Sequence, residues 1–346
     1  MSSPLKTRPL AAIFGVAGTR PTKDERAFFA RVNPLGFILF ERNCAEPAQV
    51  RSLVGDLRAC VGRADAPVLI DQEGGRVQRL KPPHWPKIPP PAAIGALALR
   101  NGAEGREAAR LMGATIAAEL SELGITVDCA PVLDVPSRDA HSVIGDRAFA
   151  NLPELVADLG GAFCAGLLEG GVAPVIKHIP GHGRARVDSH AELPLVDVHL
   201  GTLEAIDFAP FRALHDMPWA MTAHVIYRAL DALRPATTSS KVIARTIRKA
   251  IGFEGMLISD DLSMKALSGS FKKRAADALH AGCDAVLHCN GRMDEMREVA
   301  DGCRPLDDAA MARLARAASM VHPAAGADAR VLAARLESLL GAKMAG

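Results

Sequence analysis

The chain has few aromatic residues. One tyrosine, two tryptophans and eleven phenylalanines make up 4% of 346 residues. A surface that stacks nucleobases needs more than that. Charge of one sign is also missing, since 41 basic and 39 acidic residues leave a net charge of +2. No strong field therefore draws the protein to nucleic acid or to an anionic membrane. The seven cysteines are odd in number and none is spaced Cys-x-x-Cys, which disfavours a disulfide framework or a zinc ribbon and fits a reducing cytoplasm. No apolar run reaches the ~18 residues of a membrane span. No Gly-x-Gly-x-x-Gly offers a dinucleotide site. Lys6 and Arg8 before Leu10–Ala17 imitate a secretion signal, but no clear cleavage site follows and the stretch reads as a strand.

What is present suits a globule, with 49% hydrophobic and 23% charged residues. Eight short apolar runs recur: Ala11–Ala17, Gly36–Phe40, Pro67–Ile70, Ile125–Val132, Val172–Ile176, Trp219–Ala223, Gly255–Ile258 and Ala285–Leu287. They do not alternate cleanly, as expected of parallel strands buried on both faces. Amphipathic stretches fall between several of them, at Pro47–Val61, Glu104–Leu123, Leu152–Glu169, Val242–Ile251 and Lys272–Ala281. The pattern predicts an α/β fold, a single (β/α)8 TIM-type barrel spanning residues 1–346. Asp307–Val321 and Asp328–Leu340 read as C-terminal closing helices. A doubly wound open sheet is the alternative.

In such a barrel the chemistry sits where the strands end. Polar groups follow at least six of the runs: Asp71 to Arg79, Asp134 with Asp146 and Arg147, Lys177 to His190, His224, Ser259 to Asp261, and His288 with Asn290. Each alone has a plain explanation as a helix cap or an ion pair. Together they predict a polar pocket. A carboxylate at Asp71 beside a guanidinium at Arg79 accepts from and donates to vicinal hydroxyls, which suits a sugar.

The densest cluster is residues 177–190, with His178, His182, His190, Asp188 and Lys177. Two chemistries compete for it. The histidines and Asp188 are permitted zinc ligands, although their spacing matches no compact zinc motif. Alternatively, Asp188 orients His190 and favours its protonated form, while a separate carboxylate, Asp260, acts as nucleophile.

Lys177-His178-Ile179-Pro180-Gly181-His182-Gly183 followed by Asp188-Ser189-His190 resembles the β-N-acetylglucosaminidases of glycoside hydrolase family 3. Leu257-Ile258-Ser259-Asp260-Asp261-Leu262-Ser263-Met264 is similar to that family's nucleophile signature, and Asp71–Arg79 and Ile144–Arg147 match two further blocks. The resemblance implies that Asp260 is the nucleophile, His190 the general acid/base and Asp188 its partner. It implies that Asp71, Arg79, Arg147, Lys177 and His178 bind the N-acetylglucosamine ring. His224, in Met221–Val225, lies in a family-like block with a less defined role, and His182 shapes the loop. Ile179 stands where many relatives have phenylalanine. The chain lacks room for the second domain of many family β-glucosidases, which points to the compact bacterial type. That type acts in the cytoplasm in cell-wall recycling, on muropeptides containing 1,6-anhydro-N-acetylmuramic acid. No cofactor and no metal are expected. The partner is a small carbohydrate, with no nucleic acid and no membrane, and a monomer is favoured. A phosphorylase, a metal-dependent hydrolase and a catalytically silent sugar-binding protein remain the alternatives.

Overall fold

The computed structural model describes residues 8–139, 141–189, 192–322 and 326–341. Eight parallel strands close into a barrel. They are β1 (Leu10–Gly15), β2 (Pro34–Leu39), β3 (Val68–Ile70), β4 (Val127–Asp128), β5 (Ala173–Ile179), β6 (Trp219–Thr222), β7 (Met256–Asp261) and β8 (Ala285–His288). Each strand pairs with its neighbours in sequence, and β1 closes the ring on β8 through Ala12 opposite Val286. The open-sheet alternative is thereby excluded. The strands are buried on both faces, which is why their sequences run apolar without alternation.

Helices wrap the barrel close to the expected positions. Pro47–Val61 has the predicted bounds, and Gly62 follows it at φ 60°, a left-handed turn that glycine makes without strain. Gly102–Glu122 starts on an Asn101 cap, and Pro153–Glu169 packs against it. Lys23–Val32 opens with a reciprocal capping box between Thr22 and Glu25. Asp308–Ser319 reaches the strand-start end of the barrel, where Met311 and Leu314 share a cavity wall with Val127, Ala173 and Trp219. Asp284 pins this helix, accepting from Arg313 Nη1 at 2.7 Å and from Arg248 Nη2 at 2.9 Å.

Three strand ends differ from expectation. The run Ile125–Val132 forms regular strand only over Val127–Asp128. Pro131 has no N–H to donate, and the chain continues as isolated pairing between Val132 and Lys177. By contrast β5 runs on through Lys177 and His178, and β7 through Ser259, Asp260 and Asp261. Both extensions carry a register shift, between Lys177 and Ile179 and between Ile258 and Asp261. Such irregularities re-aim side chains beside active sites.

Candidate active site

At the strand-end face a cavity of about 340 Å³ opens into the barrel. Asp71, Arg79, Arg147, Lys177, His178, Asp188 and Asp260 all line it. The residues expected to bind the sugar or carry the reaction are thus brought together, apart from His190, which lies outside the described residues, whereas His224, His288 and Asn290 do not line the cavity.

One wall is a buried network of charge. Lys177 Nζ donates to Asp71 Oδ1 at 2.9 Å and pairs with Glu73 Oε1 at 2.6 Å. Arg79 Nη2 donates to Asp71 Oδ2 at 3.1 Å. Arg147 grips Glu73 by a two-point fork, Nε to Oε2 at 2.7 Å and Nη2 to Oε1 at 2.8 Å. Burial alone would push both carboxyls up. The Lys177 and Arg79 charges overcome it at Asp71, and Arg147 and Lys177 overcome it at Glu73, so both are held below the usual range. The same partners hold Lys177 and Arg147 protonated in spite of burial. Two carboxylates against three cations leave this wall one positive charge in excess.

The network does not use up its donors. Arg147 spends three N–H groups, two on Glu73 and one from Nη1 on the Val143 carbonyl. Of five in a guanidinium, two remain for a ligand. Lys177 donates one N–H to Asp71 and is ion-paired with Glu73. Hydrogen bonds from charged donors to sugar hydroxyls are the stronger kind, about 1.5–3 kcal/mol each. Phe40 lines the same wall, with the Arg79 guanidinium 5.3 Å from its ring centroid.

The next wall is built on Asp134, which is fully buried. Its Oδ2 accepts from His178 Nδ1 at 2.7 Å, and its Oδ1 from the backbone N–H groups of His178 and His182 at 3.2 and 2.6 Å. A carboxylate accepts only, so Nδ1 of His178 carries the proton and Nε2 is the nitrogen left for a ligand. Burial opposes ionisation of Asp134, but the His178 contact prevails and its pKa is lowered. His182 bonds Ser189 Oγ through Nε2 at 3.2 Å. Burial, then the neighbouring His178, takes the His182 ring down to about 4, so it is neutral at pH 7 and fits the loop-shaping role expected of it.

Gly181 and Gly183 have the backbone freedom to let this loop move. Instead they allow close packing. A Cβ at Gly183 would lie 2.0 Å from the Val135 carbonyl oxygen, and Gly181, at φ 133°, packs on Asp207. The loop is also stitched to its neighbour by Ser137 N–H to Gly183 O and His141 N–H to Ala185 O. Tyr227 Oη donates to Gly181 O at 2.6 Å. These contacts anchor the segment through Ala185.

On the third wall stand two adjacent carboxylates with different surroundings. Asp261 Oδ1 accepts from the N–H groups of Ser263 and Cys289 at 3.0 and 3.1 Å, and its Oδ2 from Ser263 Oγ. It is a turn anchor. Asp260 Oδ1 accepts the Asp261 N–H at 2.7 Å. Both aspartates line the cavity, and Asp261 is the one tied into the backbone of the turn. Among the described residues no three His, Cys, Asp or Glu side chains are grouped to hold a metal ion.

The sequence places Glu73 inside the block Asp71–Arg79 and Asp134 after the run Ile125–Val132, but gives neither of them a role in the site. Glu73 had a signal. Two residues apart on an extended segment, Asp71 and Glu73 share a face.

Residues 7–322 match the glycosyl hydrolase family 3 N-terminal domain. The chain is 42% identical over 282 residues to the beta-hexosaminidase of Alkalilimnicola ehrlichii, covering 80% of each protein. It is 42% identical over 282 residues to that of Methylococcus capsulatus, covering 80% of this chain and 82% of the relative. Among solved structures, NagZ from Neisseria gonorrhoeae in complex with N-trifluoroacetyl-D-glucosamine superposes with a TM-score of 0.86 at 33% identity, over 97% of this chain and 98% of that one. A family 3 β-N-acetylglucosaminidase from Paenibacillus sp. gives 0.85 at 30% identity, over 98% and 69%. With the barrel, the sugar-sized polar cavity and these likenesses together, the chain belongs to glycoside hydrolase family 3.

Proposed function

We propose that this protein is a retaining exo-β-N-acetylglucosaminidase that removes non-reducing terminal N-acetylglucosamine from cell-wall muropeptides. The observation that carries this reading is one cavity lined by Asp260 together with Asp71, Arg79, Arg147, Lys177 and His178. The hexosaminidase names of the relatives and the N-acylglucosamine bound by the gonococcal NagZ support the acetamido sugar.

In the first step Asp260 Oδ forms a bond to the anomeric carbon, and the bond to the leaving oxygen breaks. Protonated His190 gives that oxygen its proton. In the second step neutral His190 takes a proton from water, whose oxygen attacks the anomeric carbon and releases Asp260. Asp188 orients the imidazole. Lys177, Arg79 and Arg147 place the ring against Asp260, so the reacting atoms meet without a search.

The proposed setting is cytoplasmic recycling of muropeptides, with the whole chain acting as one catalytic domain. This follows the family resemblance. Among the described residues no helix is long and apolar enough to cross a membrane.

The decisive assay compares an aryl N-acetyl-β-glucosaminide with the matching aryl β-glucoside. Preference for the glucoside overturns the acetamido assignment. Products measured with and without inorganic phosphate separate hydrolysis from phosphorolysis. Loss of activity on chelation would restore the metal-dependent reading, and absence of turnover on both glycosides the silent sugar-binding one.

A further inference from the structure

Residue 261 is held on every side. Its N–H donates to Asp260 Oδ1 at 2.7 Å, and its carboxylate is tied to Ser263 and Cys289. Its carbonyl oxygen faces His224 Nε2 at 3.1 Å. A peptide carbonyl can only accept, so Nε2 carries the proton. Burial lowers the pKa of the His224 ring, which favours the neutral imidazole. Nδ1 of a neutral ring protonated on Nε2 must accept.

Its partner there is Thr237 Oγ1, at 2.7 Å. The Thr237 hydroxyl has one proton. The Ala223 carbonyl, 3.1 Å away, competes for it over a longer contact. With that proton given to Nδ1, Thr222 Oγ1 at 2.8 Å is the donor to Thr237. The order is therefore directed, from Thr222 to Thr237 to His224 to the Asp261 carbonyl. Thr222, Thr237 and His224 are fully buried, so no water competes for these bonds.

We propose that His224 is a positioning residue for the nucleophile: with its tautomer set by Thr237, it locks the Asp261 backbone, whose N–H fixes the orientation of the Asp260 carboxylate. The inference rests on Asp260 being the nucleophile. His224 does not line the cavity and acts through residue 261.

The test uses the full-length protein with Thr237→Val, which keeps the shape and removes the hydroxyl, and Thr237→Ser, which keeps the hydroxyl. A fluorinated, activated N-acetyl-β-glucosaminide that leaves a slowly hydrolysed adduct reports nucleophilic attack, and digestion with mass spectrometry locates the adduct. Thr237→Val is expected to slow adduct formation and kcat by about tenfold while KM stays within about twofold, as befits a transition-state effect. Thr237→Ser should keep at least about half of the wild-type rate, because it restores the donor. A loss under about threefold in Thr237→Val, or an equal loss in Thr237→Ser, overturns the proposal. If Thr237→Val does not fold, Thr237→Ala is measured against the same limits. An adduct on a residue other than Asp260 in the unmutated protein overturns the nucleophile assignment, a result that Thr237 cannot mimic.

Discussion

Arg147 and Glu73 meet in a two-point fork, at 2.7 and 2.8 Å, across 74 residues of sequence. The contact ties the loop after β4 to the segment after β3. It also neutralises a guanidinium that would otherwise sit unpaired in the cavity wall. Glu73 shares Lys177 with Asp71, so one carboxylate organises two of the three cations that face the substrate.

Glu73→Gln keeps the shape and removes the charge. Lys177 then keeps Asp71 as its partner, while Arg147 keeps only the weaker attraction of Asp134 and Asp71. Breaking a buried pair from one side costs about 3–5 kcal/mol, because the stranded charge is not solvated. We expect a fall in melting temperature and a rise in KM, since Arg147 and Lys177 lose their set positions. Thermal unfolding and steady-state kinetics check both. A variant with unchanged KM would show that Glu73 serves the fold alone.

The two neighbouring aspartates should separate cleanly. Asp260→Ala is expected to abolish turnover with little change in melting temperature, because Asp260 is only partly buried. Asp261→Ala removes the oxygens that accept from Ser263 and Cys289 and strands those donors, so it should lower stability by about 1–3 kcal/mol, with a partial loss of rate. Activity and melting curves of both variants decide it. Full activity in Asp260→Ala would move the nucleophile to Asp261.

Much of this site was legible in the sequence, and its gaps have physical causes. Eight buried runs announced eight strands because parallel strands need apolar faces on both sides. Asp71, Arg79, Arg147, Lys177, His178, Asp188 and Asp260 stood in the segments that follow run ends, and the barrel brings such segments to one rim. Hidden from the sequence were partners chosen by register between neighbouring strands. Asp134 holds His178 only because the chain after β4 lies beside the end of β5. Likewise, glycines in a loop read as freedom, while at Gly183 the missing side chain makes room for Val135. Nothing in the local sequence separates those two uses.

Glu119, on the helix Gly102–Glu122, gives a pH prediction of definite sign. Burial pushes its carboxyl up to about 8, against a smaller opposing pull from the Gln72 amide. In the unfolded chain it ionises near the ordinary value of about 4.3. Between those values the unfolded chain has lost a proton that the folded protein keeps. Stability from this group is therefore present below about pH 4 and declines as pH rises towards 8, by at most about 1.4 kcal/mol per unit. Glu119→Gln should match the unmutated protein near pH 4.5 and melt higher at pH 8. Melting curves across that range test it, and a constant gap between the two proteins would contradict the buried, protonated state.

The acid role assigned to His190 has a signature in the leaving group. Glycosidic oxygen in a sugar aglycone is a poor leaving group and needs a proton as the bond breaks. An aryl oxygen bearing electron-withdrawing groups departs without one. His190→Ala should therefore cost about 10²–10⁴-fold on a disaccharide and far less on an activated aryl glycoside at the glycosylation step. Because His190 also activates water, release of the glycosyl group from Asp260 slows as well. A burst of aryl alcohol followed by slow turnover is then expected from the variant. Stopped-flow release of the aryl alcohol resolves the two phases. Equal losses on both substrates, with no burst, would place the proton donor elsewhere.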